Sequence, residues 1–154
     1  LDLDAWPTPG HASHHVSYYH EATGDAYVGD TAGVRIPPGT FVQAPTPPPD
    51  IDVEAWLDSI ETIAAWNPQR LCLTHFGPVT EVEDHLHAIR TRLLDNAELA
   101  RDLSREQFTE AMKDLVVRDQ GEDVLTTFGQ AAPFDHLYAG LERYWRKKAE
   151  ADAA

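Results

Sequence analysis

The stretch TPGHASHHVSYYHEATGDAYVGD, residues 8–30, decides how this chain is read. It opens on a Pro9-Gly10 turn and places His11 directly behind it. Residues 15–20, HVSYYH, are rich in β-formers. Along that strand Val16, Tyr18 and His20 share one face, and His15, Ser17 and Tyr19 the other. EATGD supplies a turn at Gly24, and AYVGD reads as the returning strand. Residues 15–29 are therefore expected to form a β-hairpin, and Asp30 ends it.

Working outward, residues 37–49 hold most of the prolines, in PPGTFVQAPTPPP. Proline lacks an N–H and has a fixed φ, so this stretch reads as an extended surface connection. Beyond Asp50, Val53, Trp56, Leu57, Ile60 and Ile63 recur at helical spacing, with Asp52 and Glu54 in the first turn. Asn67-Pro68 ends that helix. RLCLTH, residues 70–75, reads as a buried strand, and FGP turns the chain. Thr80 and Glu83 have capping-box spacing for a second helix carrying Val82, Leu86, Ile89, Leu93 and Ala97. Ser104 and Gln107 repeat the pattern, with Leu103 and Phe108 as a hydrophobic staple. A short helix is expected around 122–128 and a last one over about 134–148. The tail KKAEADAA reads as frayed.

Composition narrows the functional classes. A chain of 154 residues suits one sizeable core. The net charge of −14 argues against a general nucleic-acid surface, which needs clustered Lys and Arg. No apolar run approaches the roughly 20 residues that cross a bilayer, so no membrane partner is expected. A single cysteine, Cys72, allows no intrachain disulfide and makes a reducing cytoplasmic setting the default. Cys72 reads as a core residue.

His11 after a turn, Asp30 after a hairpin and His75 after a buried strand share one logic. Such positions hold a side chain rigidly while its tip faces a cleft. Imidazole with carboxylate suits Zn²⁺, Mn²⁺ or Fe. The three are far apart in sequence, so only the fold can bring them together.

TPGHASHHVSYYHEATGDAYVGDTAG followed by LTHFGP resembles the second half of a metallo-β-lactamase-superfamily hydrolase. Thr-Pro-Gly-His, Gly-Asp after a hairpin and a strand ending in His occur in the family's order. The resemblance covers roughly residues 4–100 and extends to PTPPPDIDVEAWLDSI. It implies an α/β fold: the second half of an αββα sandwich, one mixed sheet with outer helices, plus C-terminal helices. Residues 1–102 would form the half-core and 103–154 a helical extension. The resemblance further implies two divalent ions, Zn by default. His11 would complete the first site, Asp30 would bridge both ions and take part in catalysis, and His75 would belong to the second. Metal ions in such a cleft lower the pKa of a bound water and polarise the bond to be cleaved. The implied reaction is hydrolysis of an ester, thioester, lactone, amide or phosphoester in a small-molecule substrate.

The family's His-x-His-x-Asp-His motif is absent, because only ten residues precede His11. Four of the seven usual ligands are thus missing. The expectation is a C-terminal part of a longer enzyme, inactive alone, whose open sheet face pairs with the upstream half or with a second copy. Two alternatives stand beside it. One is a non-catalytic, self-associating module of the same half-fold. The other is a small metal-binding protein using the HASHH cluster, His11, His14 and His15. The simpler reading starts the strand at His15 and leaves His14 either in solvent or behind the ligands as a support. His85 and His87, two apart on a helix, read as surface residues, and His20 and His136 have no evident partners.

Overall fold

The computed structural model describes residues 2–153. A mixed sheet holds β1 (Asp4–Pro7), β2 (Val16–His20), β3 (Asp25–Gly29), β6 (Arg70–Leu73) and β7 (Pro78–Val79), in spatial order β1-β2-β3-β6-β7. The short strands β4 (Val34–Arg35) and β5 (Val42–Gln43) pair separately as an antiparallel ribbon. Helices α1 (Val53–Ala65), α2 (Val82–Asp102), α3 (Arg105–Gln120), α4 (Leu125–Ala131) and α5 (Phe134–Asp152) complete the chain. The fold is α/β: a mixed sheet flanked by helices, as expected for half of a metallo-β-lactamase-like sandwich carrying C-terminal helices.

The hairpin β2–β3 forms with Tyr18 opposite Tyr27. β1 was not legible as a strand. Asp4–Pro7 is exposed throughout and gains its conformation by pairing antiparallel with β2. β3 pairs in parallel with β6, Gly29 beside Leu73, across a crossover that contains α1. β1 and β3 are each antiparallel to β2, so β1, β3 and β6 all run the same way. Their C-terminal ends therefore meet at one edge of the sheet.

One sheet face is closed. Ala26, Val28 and Leu71 are buried there, in one apolar cluster with Trp56, Ile60 and Ile63 of α1 and Leu86, Ile89 and Leu93 of α2. Phe108 and Met112 of α3 and Leu137 and Leu141 of α5 continue the same cluster. The other face is open: Val16, Tyr18 and Tyr27 stay 39–43% exposed. Cys72 lies opposite Tyr27 in the ladder and is half-buried. It is therefore not the core residue expected, because β6 offers its alternate side chains to the open face.

Local chemistry sets the helix ends. The Asp52 side chain accepts from the Ala55 N–H and caps α1. The Ser104–Gln107 capping box is present in full at α3. The Thr80–Glu83 box is not. Thr80 donates both its N–H and its hydroxyl to Glu81, and Glu81 occupies the N-cap without a side-chain cap. The tail is not frayed as expected: α5 continues to Asp152, while Ala154 lies outside the described residues. Tyr144 donates to Glu54 at 2.7 Å, and Lys148 pairs with the same carboxylate, tying α5 to α1. Among the described residues no helix is long and apolar enough to cross a membrane.

Candidate metal centre

His11, Asp30 and His75 follow β1, β3 and β6 respectively, so the shared direction of those strands places all three at one sheet edge. His11 Nε2 lies 3.8 Å from Asp30 Oδ2, and His75 Nε2 lies 3.6 Å from Asp30 Oδ1. Each imidazole thus faces a different carboxylate oxygen. Asp30 Oδ1 is buried with no hydrogen-bond partner among the described residues. An unpaired carboxylate oxygen is costly to bury. A cation held by this carboxylate and a neighbouring imidazole would offset that cost, and imidazole with carboxylate is a donor chemistry that suits a divalent ion.

The surroundings hold these groups in place. His11 Nδ1 donates to the Pro45 carbonyl at 2.8 Å. A carbonyl only accepts, so Nδ1 carries a proton, and Nε2 is the ring nitrogen that faces Asp30. Fixing the tautomer through the remote nitrogen is the usual outer support of a metal-binding histidine. Gly10, just before His11, has φ +129°, and a Cβ there would collide with the Trp56 backbone. Only glycine lets the histidine loop lie this close to α1.

Asp30 begins a 3₁₀ turn, Asp30–Ala32, that is gripped from beneath. The fully buried Trp56 donates from Nε1 to the Thr31 carbonyl at 2.7 Å. His85 Nε2 donates to the Ala32 carbonyl at 2.8 Å. His85 is therefore not a surface residue as expected: it is 3% exposed, on the inward face of α2. His87 alone points outward. Burial, first of all, holds the His85 pKa below the ordinary imidazole value. Sequence reasoning missed the supporting roles of Trp56, His85 and Pro45. Periodicity marked Trp56 as core, but nothing local showed where its N–H would be spent.

The HASHH cluster is not a site of its own. His14 is exposed. His15 Nδ1 is occupied by the hydroxyls of Thr8 and Thr31, at 2.9 and 3.0 Å. The His15 ring packs over Gly29, whose φ of +53° and missing Cβ make the space. Burial, then the neighbouring His11, lower the His15 pKa. Among the described residues no three His, Cys, Asp or Glu side chains form a group able to hold one metal ion. His11, Asp30 and His75 are no exception. Elsewhere, His20 Nδ1 is hydrogen-bonded to the Thr23 hydroxyl at 2.7 Å, and burial raises the Cys72 thiol, which speaks against a nucleophile there.

Residues 3–75 match the family model of the metallo-beta-lactamase superfamily, an interval that contains all three edge residues. Among solved structures, an archaeal metallo-beta-lactamase superfamily protein from Sulfolobus tokodaii is similar, with 26% identity and a TM-score of 0.50. That similarity covers 58% of this chain and 32% of the archaeal one. A metallo-beta-lactamase family protein from Thermus thermophilus shares the fold at 19% identity and a TM-score of 0.58, over 96% of this chain and 44% of that one. This chain thus spans less than half the length of either structure. No curated protein matches it. Fold and sequence together support homology of this chain with the metallo-β-lactamase superfamily.

Proposed function

We propose that this chain carries part of the active site of a metal-dependent hydrolase acting on a small molecule with an ester, thioester, lactone, amide or phosphoester bond. The observation that carries this reading is the split approach of His11 and His75 to the two oxygens of Asp30, one of which is buried and unpartnered. His11 and one carboxylate oxygen would hold one divalent ion, and His75 with the other oxygen a second. Zinc suits imidazole–carboxylate donors, and manganese or iron fit the same set. When bound, such ions supply Lewis acidity and ease the deprotonation of water near neutral pH. The chain's own part is to position. Pro45 fixes the His11 tautomer, Trp56 and His85 fix the turn bearing Asp30, and the strand ends align the three donors.

A catalytic zinc takes about three protein ligands, one more than each pair here offers. The chain alone is therefore proposed to bind metal weakly and to turn over little. Its open sheet face is proposed to take a second layer, supplied by the upstream half of the same protein or by a second copy. Zinc titration of the 154-residue chain by calorimetry tests the site. Weak binding that disappears in Asp30→Asn and weakens in His11→Gln and His75→Gln is the expected result. Equal zinc uptake by Asp30→Asn, or chelator-sensitive ester hydrolysis that Asp30→Asn retains, overturns it.

A further inference from the structure

Away from that sheet edge, a cavity of about 470 Å³ lies between the approach to β5, the middle of α2 and the end of α3. Thr40, Phe41, Thr91, Arg92, Asp119 and Gln120 line it. Arg92 is the unusual member. Its side chain is only 16% exposed, and its Nε is buried without a hydrogen-bond partner among the described residues. The guanidinium carbon lies 4.6 Å from the centre of the Phe41 ring. The Asp119 carboxylate stops 3.9 Å short of it and is itself taken by Arg118 at 2.8 Å. Burial lowers the Arg92 pKa, against the opposing pull of the Asp95 and Asp119 carboxylates.

One turn further along α2, Asn96 is fully buried, and neither atom of its side-chain amide has a partner among the described residues. Gln43 Oε1, on β5, is likewise buried and unpaired. Native interiors satisfy nearly all such groups; of these three residues only Arg92 lines the cavity, and its buried, unpartnered Nε marks that wall as polar. Arg92 sits seven residues beyond His85 on the same helix, about 10 Å along the axis. The cavity is therefore distinct from the candidate metal centre.

We propose that this cavity binds the oxyanion group of a small molecule, a phosphate or a carboxylate, on the guanidinium of Arg92. The planar fork of an arginine matches such groups through two parallel N–H bonds. Thr40 and Thr91 also line the cavity and carry neutral hydroxyls, and Phe41 and Val42 are apolar residues of the same lining.

Calorimetric titration of the 154-residue chain with inorganic phosphate, and separately with acetate, tests this. At least one anion is expected to bind in the millimolar range, and the arm that binds identifies the chemistry. Arg92→Gln is expected to weaken binding about tenfold or more, the scale of a lost charged hydrogen bond. Asp119→Asn removes a competing carboxylate and is expected to tighten it, an effect that a purely structural Arg92 does not predict. If Arg92→Gln fails to fold, Asp119→Asn and Thr91→Val, which leave the buried charge in place, carry the test. No binding of either anion by the parent chain, undiminished binding by folded Arg92→Gln, or unaltered affinity in Asp119→Asn would each overturn the proposal.

Discussion

At the scale of single residues, His85 shows how one buried ring links stability to pH. Its Nε2–H is committed to the Ala32 carbonyl, and its Nδ1 is buried without a partner among the described residues. Charging this ring inside the fold is unfavourable, so its folded pKa lies below the unfolded one. In the unfolded chain the ring takes up a proton near pH 6.5. Stability from His85 is therefore fully present above that value and is lost as pH falls from there through the lowered folded value. The loss reaches at most about 1.4 kcal/mol per pH unit. Thermal melts across pH 5 to 8 check this, and His85→Gln should show a flatter acid limb than the parent. An identical pH profile in the variant would remove His85 from the account. Trp56 is the second test at this scale. Trp56→Phe deletes the N–H that holds the Thr31 carbonyl, at a cost of about 1–3 kcal/mol for the orphaned acceptor. It is also expected to weaken zinc uptake, because Asp30 begins the same turn.

At the scale of elements, the helix caps separate local from tertiary control. Both residues of the Ser104–Gln107 box are engaged at α3, so Ser104→Ala is expected to cost about 1 kcal/mol in denaturant unfolding. The similarly spaced Thr80 and Glu83 form no box, since Thr80 is spent on Glu81. Thr80→Ala is accordingly expected to leave the α2 N-terminus unchanged within about 0.5 kcal/mol. The strands make the complementary point. Asp4–Pro7 has no alternation that marks a strand, yet its pairing with β2 aligns it with β3 and β6. That alignment carries His11 to the edge where Asp30 and His75 stand.

At the scale of the whole molecule, the sheet is covered on one side only. Leu3, Val16, Tyr18 and Tyr27 remain 39–43% exposed, while the opposite face is buried under helices. Large apolar side chains left exposed on one sheet face favour association. We expect the chain to self-associate at micromolar concentration when no other sheet layer is supplied. Sedimentation velocity checks this, with Tyr18→Ser and Tyr27→Ser together shifting the chain toward monomer. A cooperatively melting monomer of the parent chain would show that the helices close the core unaided.

The local parts of this protein were written in its sequence. The β2–β3 hairpin, the α1 pattern, the α3 cap and the turns around Gly10 and Gly24 rest on neighbouring residues, whose spacing and backbone preferences read without a fold. His11, Asp30 and His75 could be singled out for their residue types and turn positions. Their proximity was decided only by the parallel pairing of β3 with β6 and by β1 joining β2, contacts between segments up to 45 residues apart. The same is true of His85, which faces inward because the 3₁₀ turn after β3 presents the Ala32 carbonyl to α2, and of Cys72, set half-buried by the register of β6. A side chain's burial and hydrogen-bond partners depend on which distant surface arrives against it, and no local pattern encodes that.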